Sequence, residues 1–122
     1  MFIITKEFHF SASHQLTALP DDHPCARLHG HNYIVKIELS SDELDEFGFV
    51  KDYRELSPLK DYIDNELDHR HLNEVFGHDG MTAEYLSKTL YEWCAERWDN
   101  VSAVYVSETP KTWAEYRPAK SN

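Results

Sequence analysis

The stretch His29-Gly30-His31-Asn32-Tyr33-Ile34-Val35-Lys36-Ile37-Glu38-Leu39-Ser40-Ser41 alternates with a period of two. Tyr33, Val35, Ile37 and Leu39 fall on one face, and Asn32, Lys36, Glu38 and Ser40 on the other. That alternation predicts a half-buried strand over 29–41. Side chains two apart point the same way, so His29 and His31 extend the apolar face.

The same pattern precedes it. Phe2, Ile4, Phe8, Phe10 and Ala12 occupy even positions, with Lys6 the exception, while Thr5, Glu7, His9, Ser11 and Ser13 are odd. Residues 2–14 therefore read as a strand whose apolar face ends in His14. Antiparallel pairing of the two strands brings His14 beside His29 and His31. Between them, residues 15–28 carry Pro20, Asp21, Asp22 and Pro24 and read as a long loop, a kind of segment that is often functional.

Downstream, Asp42 to Gly48 is a polar turn. A helix follows, opened either by the capping-box pattern Asp52-Tyr53-Arg54-Glu55 or by Ser57-Pro58. Leu56, Leu59, Ile63 and Leu67 supply its apolar stripe. A second helix fits Thr82 to Trp98, with Leu86, Leu90 and Trp93 on one face. Strands follow at 101–108 and, after Pro110, at 112–117. The order β-β-α-α-β-β predicts an α+β fold, an antiparallel four-stranded sheet with two helices on one face. Such a sheet has open edges, which oligomerisation would cover.

Composition narrows the function. A chain of 122 residues, 41% hydrophobic, is expected to form one domain over 1–122. No apolar run approaches the roughly 20 residues of a bilayer span. Met1 to Glu7 lacks a cationic start and a long apolar stretch, so it does not read as a signal peptide. Two cysteines, Cys25 and Cys94, do not make a disulfide framework. A cytoplasmic enzyme outside the membrane is the expectation. The formal charge of -10 argues against nucleic acid as a direct partner.

Three imidazoles suit a catalytic zinc, which takes three protein ligands and keeps a fourth position open. His14, His29 and His31 at the ends of matching strand faces point to such a site, poised to polarise a substrate oxygen or activate water. Cys25 reads either as a fourth ligand or as a reactive thiol beside the metal, with Arg27 near enough in sequence to lower its pKa. Cys94, mid-helix beside Trp93, reads as structural. Asp68-His69 reads equally as an oriented acid–base pair or as a polar helix end. Glu108 continues the apolar positions Val104 and Val106. Its carboxylate either faces solvent or accepts two donors from a guanidine-like edge such as that of a pterin or guanine.

Together, several segments resemble the 6-pyruvoyl-tetrahydropterin synthase family, and within it the bacterial carboxy-forming branch of the queuosine pathway. They are Phe10-Ser11-Ala12-Ser13-His14, Cys25-Ala26-Arg27-Leu28-His29-Gly30-His31-Asn32, Leu67-Asp68-His69 with Leu72-Asn73, Thr82-Ala83-Glu84 and Val106-Ser107-Glu108-Thr109. The resemblance covers nearly the whole chain. It implies Zn²⁺ on His14, His29 and His31, and proton transfer by Cys25, Asp68 and His69. It also implies a pterin ring anchored by Glu108, with Thr82 near the pocket. Met81 and Ala83 depart from the family pattern, and His71 lies outside it. Arg27, Lys36 and Lys111 are candidate cations for a triphosphate.

The implied fold is the tunnelling fold, in which subunits pair sheet edges into trimers that stack as hexamers, with active sites at subunit interfaces. The implied reaction converts 7,8-dihydroneopterin triphosphate to 6-carboxytetrahydropterin, acetaldehyde and triphosphate. The nearest rival reaction stops at 6-pyruvoyl-tetrahydropterin. A non-catalytic pterin- or zinc-binding module is the other alternative.

Overall fold

The computed structural model describes residues 1–119. Its core is a pair of 13-residue antiparallel strands, β1 (Phe2–His14) and β2 (His29–Ser41). Their ladder runs from Phe2 opposite Ser41 to His14 opposite His29. β3 (Arg70–His71), β4 (Val101–Thr109) and β5 (Thr112–Tyr116) complete a sheet ordered β3-β1-β2-β4-β5.

The sheet differs from the four-stranded antiparallel one expected. It has five strands and is mixed, because the two-residue β3 lies parallel to β1, with Ala12 opposite Arg70 and Ser13 opposite His71. Two residues are too few to show a period, so nothing in the sequence pattern marks them.

Three helices accompany the sheet where two were expected: α1 (Ser57–Tyr62), α2 (Leu72–Phe76) and α3 (Ala83–Ala95). Both candidate starts of the first helix are used. Asp52 accepts from the Arg54 N–H at 2.9 Å and caps a 3₁₀ turn over Tyr53–Leu56, and Ser57-Pro58 then opens α1. A π turn over Ile63–Leu67 continues α1. The stripe Leu56, Leu59, Ile63 and Leu67 is wholly buried, as its spacing predicts. α2 is a short turn after β3, ended by Gly77 at φ 61°, where a side chain would be strained. α3 stops three residues short of the expected Trp98.

The core lies between the helices and the even-numbered face of β1. Phe8, Phe10, Ala12, Tyr33, Val35, Ile37 and Leu39 meet Leu86, Leu90 and Cys94 of α3 there. Phe2, expected on that face, is exposed. Burial pushes the Cys94 thiol up to about 12, which agrees with a structural role.

Candidate metal centre and its flanking clefts

His14 ends β1 and His29 begins β2, directly opposite each other, with His31 one step further along the same face. Their ligand atoms lie within 4.8 Å of one another. His14 Nε2 is 2.8 Å from His29 Nε2 and 3.1 Å from His31 Nε2. The three rings meet edge to face.

The tautomers follow from main-chain acceptors. His14 Nδ1 donates to the Met81 carbonyl at 2.7 Å, and His29 Nδ1 donates to the Arg27 carbonyl at 2.6 Å. A carbonyl oxygen only accepts, so each neutral ring keeps its Nε2 lone pair bare. Two bare lone pairs 2.8 Å apart repel each other unless a cation stands between them. A tetrahedral zinc with bonds of about 2.0–2.1 Å sets its nitrogens about 3.3 Å apart, close to this spacing. The residues therefore fit a metal. Orientation of ligating imidazoles by carbonyl groups is a usual companion of such sites.

His14 is 1% exposed. His31 is held below the usual imidazole value, chiefly by burial and further by its two histidine neighbours, against an opposing pull from Glu108. The Glu108 carboxylate lies 3.6 Å from His31 Nε2 and is only partly exposed.

Met81 reaches His14 through its main-chain carbonyl, a contact that does not depend on the side chain. That side chain is fully buried. Sequence reading misses both the Met81 and the Arg27 carbonyls, because a main-chain acceptor leaves no residue-type signature.

Asp68 and His69 follow the π turn and form an oriented pair. His69 Nδ1 is 2.9 Å from Asp68 Oδ2. The pair also clasps the backbone of Ser11: Asp68 Oδ1 accepts from the Ser11 N–H at 2.9 Å, and the His69 N–H donates to the Ser11 carbonyl at 2.6 Å. The Ser11 N–H and then His69 hold the Asp68 carboxyl below its usual range. His69 occupies the left-handed region at φ 60°, uncommon for a residue with a side chain. Such strained positions concentrate at functional sites.

Two clefts flank the histidines. One, of about 600 Å³, is bordered by Ser11, Ser13, His31, Asn32, His69 and His71. The other, of about 220 Å³, is bordered by Leu16, Thr82, Ala83, Glu108 and Trp113. Glu108 and Thr82 thus share one cleft, and His31 and His69 share the other. The Thr82 hydroxyl also accepts from the Tyr85 N–H at 3.1 Å and caps α3.

Cys25 lies in a 3₁₀ turn over Pro24–Ala26, half-buried and without a disulfide. It is not in the metal-ligating group, so the closed four-ligand arrangement does not form. Neither of the two clefts includes it, and within one chain it does not join Asp68 and His69. The Arg27 side chain has no ion pair among the described residues. Asn73 pins the loop entrance, accepting from the Gln15 N–H at 2.9 Å and donating to the Gln15 carbonyl at 2.8 Å. His71, to which the sequence assigned no role, lies 2.9 Å from the Ser13 hydroxyl.

Tyr33 is the residue of the site that sequence reading took for core alone. It is 1% exposed, stacked on Phe10 and edge-on to His14 and His31. Its hydroxyl is buried without a hydrogen-bond partner among the described residues. Burial, and then the charge of Glu108, push the phenol well above its ordinary value.

Comparison with known proteins agrees with this geometry. Residues 3–119 match the family described as 6-pyruvoyl tetrahydropterin synthase. The chain is 35% identical over 138 aligned positions to the 6-carboxy-5,6,7,8-tetrahydropterin synthase of Bacillus subtilis, covering 98% of this chain and 87% of that one. It is 35% identical to the protein of the same name from Synechocystis, covering 95% and 93%. Its fold superimposes on the Caenorhabditis elegans 6-pyruvoyl tetrahydropterin synthase with a TM-score of 0.80 at 30% identity, covering 98% of both. The convergent histidines, the Asp68-His69 pair and the sheet that carries them thus stand in a chain that belongs to the 6-pyruvoyl tetrahydropterin synthase family.

Proposed function

We propose that this chain is a zinc-dependent 6-carboxy-5,6,7,8-tetrahydropterin synthase. It converts 7,8-dihydroneopterin triphosphate to 6-carboxytetrahydropterin, acetaldehyde and triphosphate, a step of queuosine and 7-deazapurine biosynthesis. The observation that carries this reading is the convergence of three Nε2 atoms, two of them oriented by carbonyls, beside the Glu108 carboxylate. The names of the Bacillus and Synechocystis relatives support the carboxy-forming product.

His14, His29 and His31 would hold the metal. A zinc ion there supplies Lewis acidity that makes C–H protons beside a bound oxygen easier to remove. Glu108 accepts the N–H donors of the pterin's amino-pyrimidinone edge, and Thr82 and Ala83 border the same cleft. Cys25, as thiolate, moves a proton at the pterin side chain. His69, oriented by Asp68, carries protons to and from the side-chain hydroxyls. Arg27 is the cation assigned to the triphosphate.

The separation of Cys25 from Asp68 and His69 within one chain favours a homo-oligomer, a trimer or hexamer whose active sites combine residues of neighbouring copies. The likeness to the Caenorhabditis elegans protein keeps a second reading, triphosphate elimination that stops at 6-pyruvoyl-tetrahydropterin.

Mass spectrometry of the products from zinc-loaded protein and 7,8-dihydroneopterin triphosphate decides between them. Carboxytetrahydropterin with acetaldehyde is expected; accumulation of the pyruvoyl compound would move the chain to the second reading, and no conversion would overturn both. Cys25→Ala is expected to keep one zinc per chain and lose turnover by at least about 100-fold, as removal of a proton-transfer group does. His31→Ala is expected to lose zinc, measured by metal analysis after dialysis; full zinc retention would count against the site.

A further inference from the structure

Tyr33 and Glu108 lie one residue beyond the end of the β2–β4 ladder. That ladder ends with Ile34 opposite Ser107, and the same register carried one step further sets Tyr33 opposite Glu108. The Tyr33 hydroxyl is buried and has no acceptor among the described residues. A buried donor without a partner is costly, so an unmatched hydroxyl at a site marks an interaction the ligand-free chain does not make. The polar neighbour of the Glu108 carboxylate is His31 Nε2 at 3.6 Å. That nitrogen belongs to the metal-ligating group. It cannot both ligate a metal and donate a hydrogen bond to Glu108.

We infer that Tyr33 is a positioning residue that acts through Glu108: when His31 is committed to a metal, the Glu108 carboxylate takes the Tyr33 hydroxyl as its donor and is held with its outer lone pairs toward the ligand's N–H edge. This rests on the proposed pterin-binding role of Glu108. It also gives the buried hydroxyl its missing acceptor. Phenylalanine would fill the same core space between Phe10 and the histidine rings, so packing alone does not require the hydroxyl. Tyr33 touches neither metal nor substrate; its effect is on binding rather than on the proton-transfer groups.

The test is a double-mutant cycle on the zinc-loaded protein, with 7,8-dihydroneopterin as the binding probe and turnover of its triphosphate measured beside it. A hydrogen bond to a carboxylate corresponds to about a tenfold change in affinity or more. Tyr33→Phe is therefore expected to weaken probe binding about tenfold and raise KM by a similar factor, with kcat changed less. Zinc content is expected to stay at one per chain, and the melting temperature of the metal-free protein is expected not to fall, because the hydroxyl is unpaired in that state. In a Glu108→Gln background the same substitution is expected to have little further effect.

Probe affinity of Tyr33→Phe within twofold of wild type would overturn the inference, as would an equal loss in both backgrounds. Either result with wild-type turnover intact leaves the proposed function standing. A wild-type protein that binds the probe through this coupled pair but converts no triphosphate would overturn the reaction and uphold the role of Tyr33. A wild-type protein that binds no pterin would overturn both.

Discussion

Gly30 sits between two metal-ligating candidates because nothing larger fits there easily. A Cβ at this position would lie 3.2 Å from the Ala12 carbonyl oxygen, a backbone atom of the facing strand. The strand would have to shift by a few tenths of an ångström, and His14, two residues beyond Ala12, would move with it. Gly30→Ala is expected to cost about 1 kcal/mol of stability, as modest overpacking does. It should also weaken zinc retention against a chelator. Wild-type zinc affinity in that variant would show that the strand spacing does not set the ligand geometry. His14 makes the same point from the opposite side. It is one of few buried polar side chains, and its Nδ1 is satisfied by Met81 while its Nε2 meets the other two rings. His14 and His29 are thus oriented by main-chain carbonyls before any metal arrives, which lowers the cost of binding one.

At the scale of elements, short connections do much of the positioning. The π turn over Ile63–Leu67 delivers Asp68 and His69 to the backbone of Ser11, and from there β3 starts parallel to β1. Asn73, at the start of α2, ties down Gln15, the residue after His14. Thr82 does the same for α3, accepting from Tyr85 N–H while its own backbone follows the Met81 carbonyl that orients His14. Loss of that cap should cost about 1 kcal/mol in Thr82→Ala, with Thr82→Ser restoring most of it. Urea unfolding of the three proteins measures this. If the serine variant is no more stable than the alanine one, the hydroxyl is not a cap that matters, and its place in the Glu108 cleft becomes its main role.

Across the whole molecule, the sheet is stitched on its outer face by Glu38. This residue of β2 accepts from Ser102 and Tyr105 of β4 at 2.6 and 2.7 Å, and from Arg117, just past β5, at 2.8 Å. Burial pushes its carboxyl up, but the hydrogen bonds from Arg117, Ser102 and Tyr105 outweigh burial and hold it at about 2. The folded state therefore binds this proton less readily than the unfolded chain. Its stabilisation is fully present above the ordinary carboxylate value of 4.5 and is lost as pH falls toward about 2. Glu38→Gln is expected to destabilise by about 2 kcal/mol at neutral pH, through loss of charge-assisted hydrogen bonds. The gap in melting temperature between wild type and variant should narrow steadily as pH falls from 4.5 toward about 2, the interval set by that pKa shift. A gap that stays constant over that range would show that Glu38 does not titrate as this network requires.

What the sequence determined by itself is the part of the protein written in local periods. Alternation laid out β1 and β2 to the residue and put His14, His29 and His31 on one face, because a strand's two-residue repeat decides side before any partner is known. The stripe from Leu56 to Leu67 did the same for the first helical segment. Tertiary structure alone decided what depends on groups far apart in the chain. β3 is too short to carry a period and exists because Asp68 and His69 grip Ser11. Glu38 lies on a polar strand face, yet it is buried because its donors come from β4 and from Arg117. The carbonyls of Met81 and Arg27 orient two histidines without any side-chain signature. Tyr33 looks like core in the alternation, and only the folded neighbourhood shows a hydroxyl with nothing to bond. The division follows from range: hydrophobic periodicity acts over a few residues, whereas hydrogen-bond satisfaction is settled only where distant segments meet.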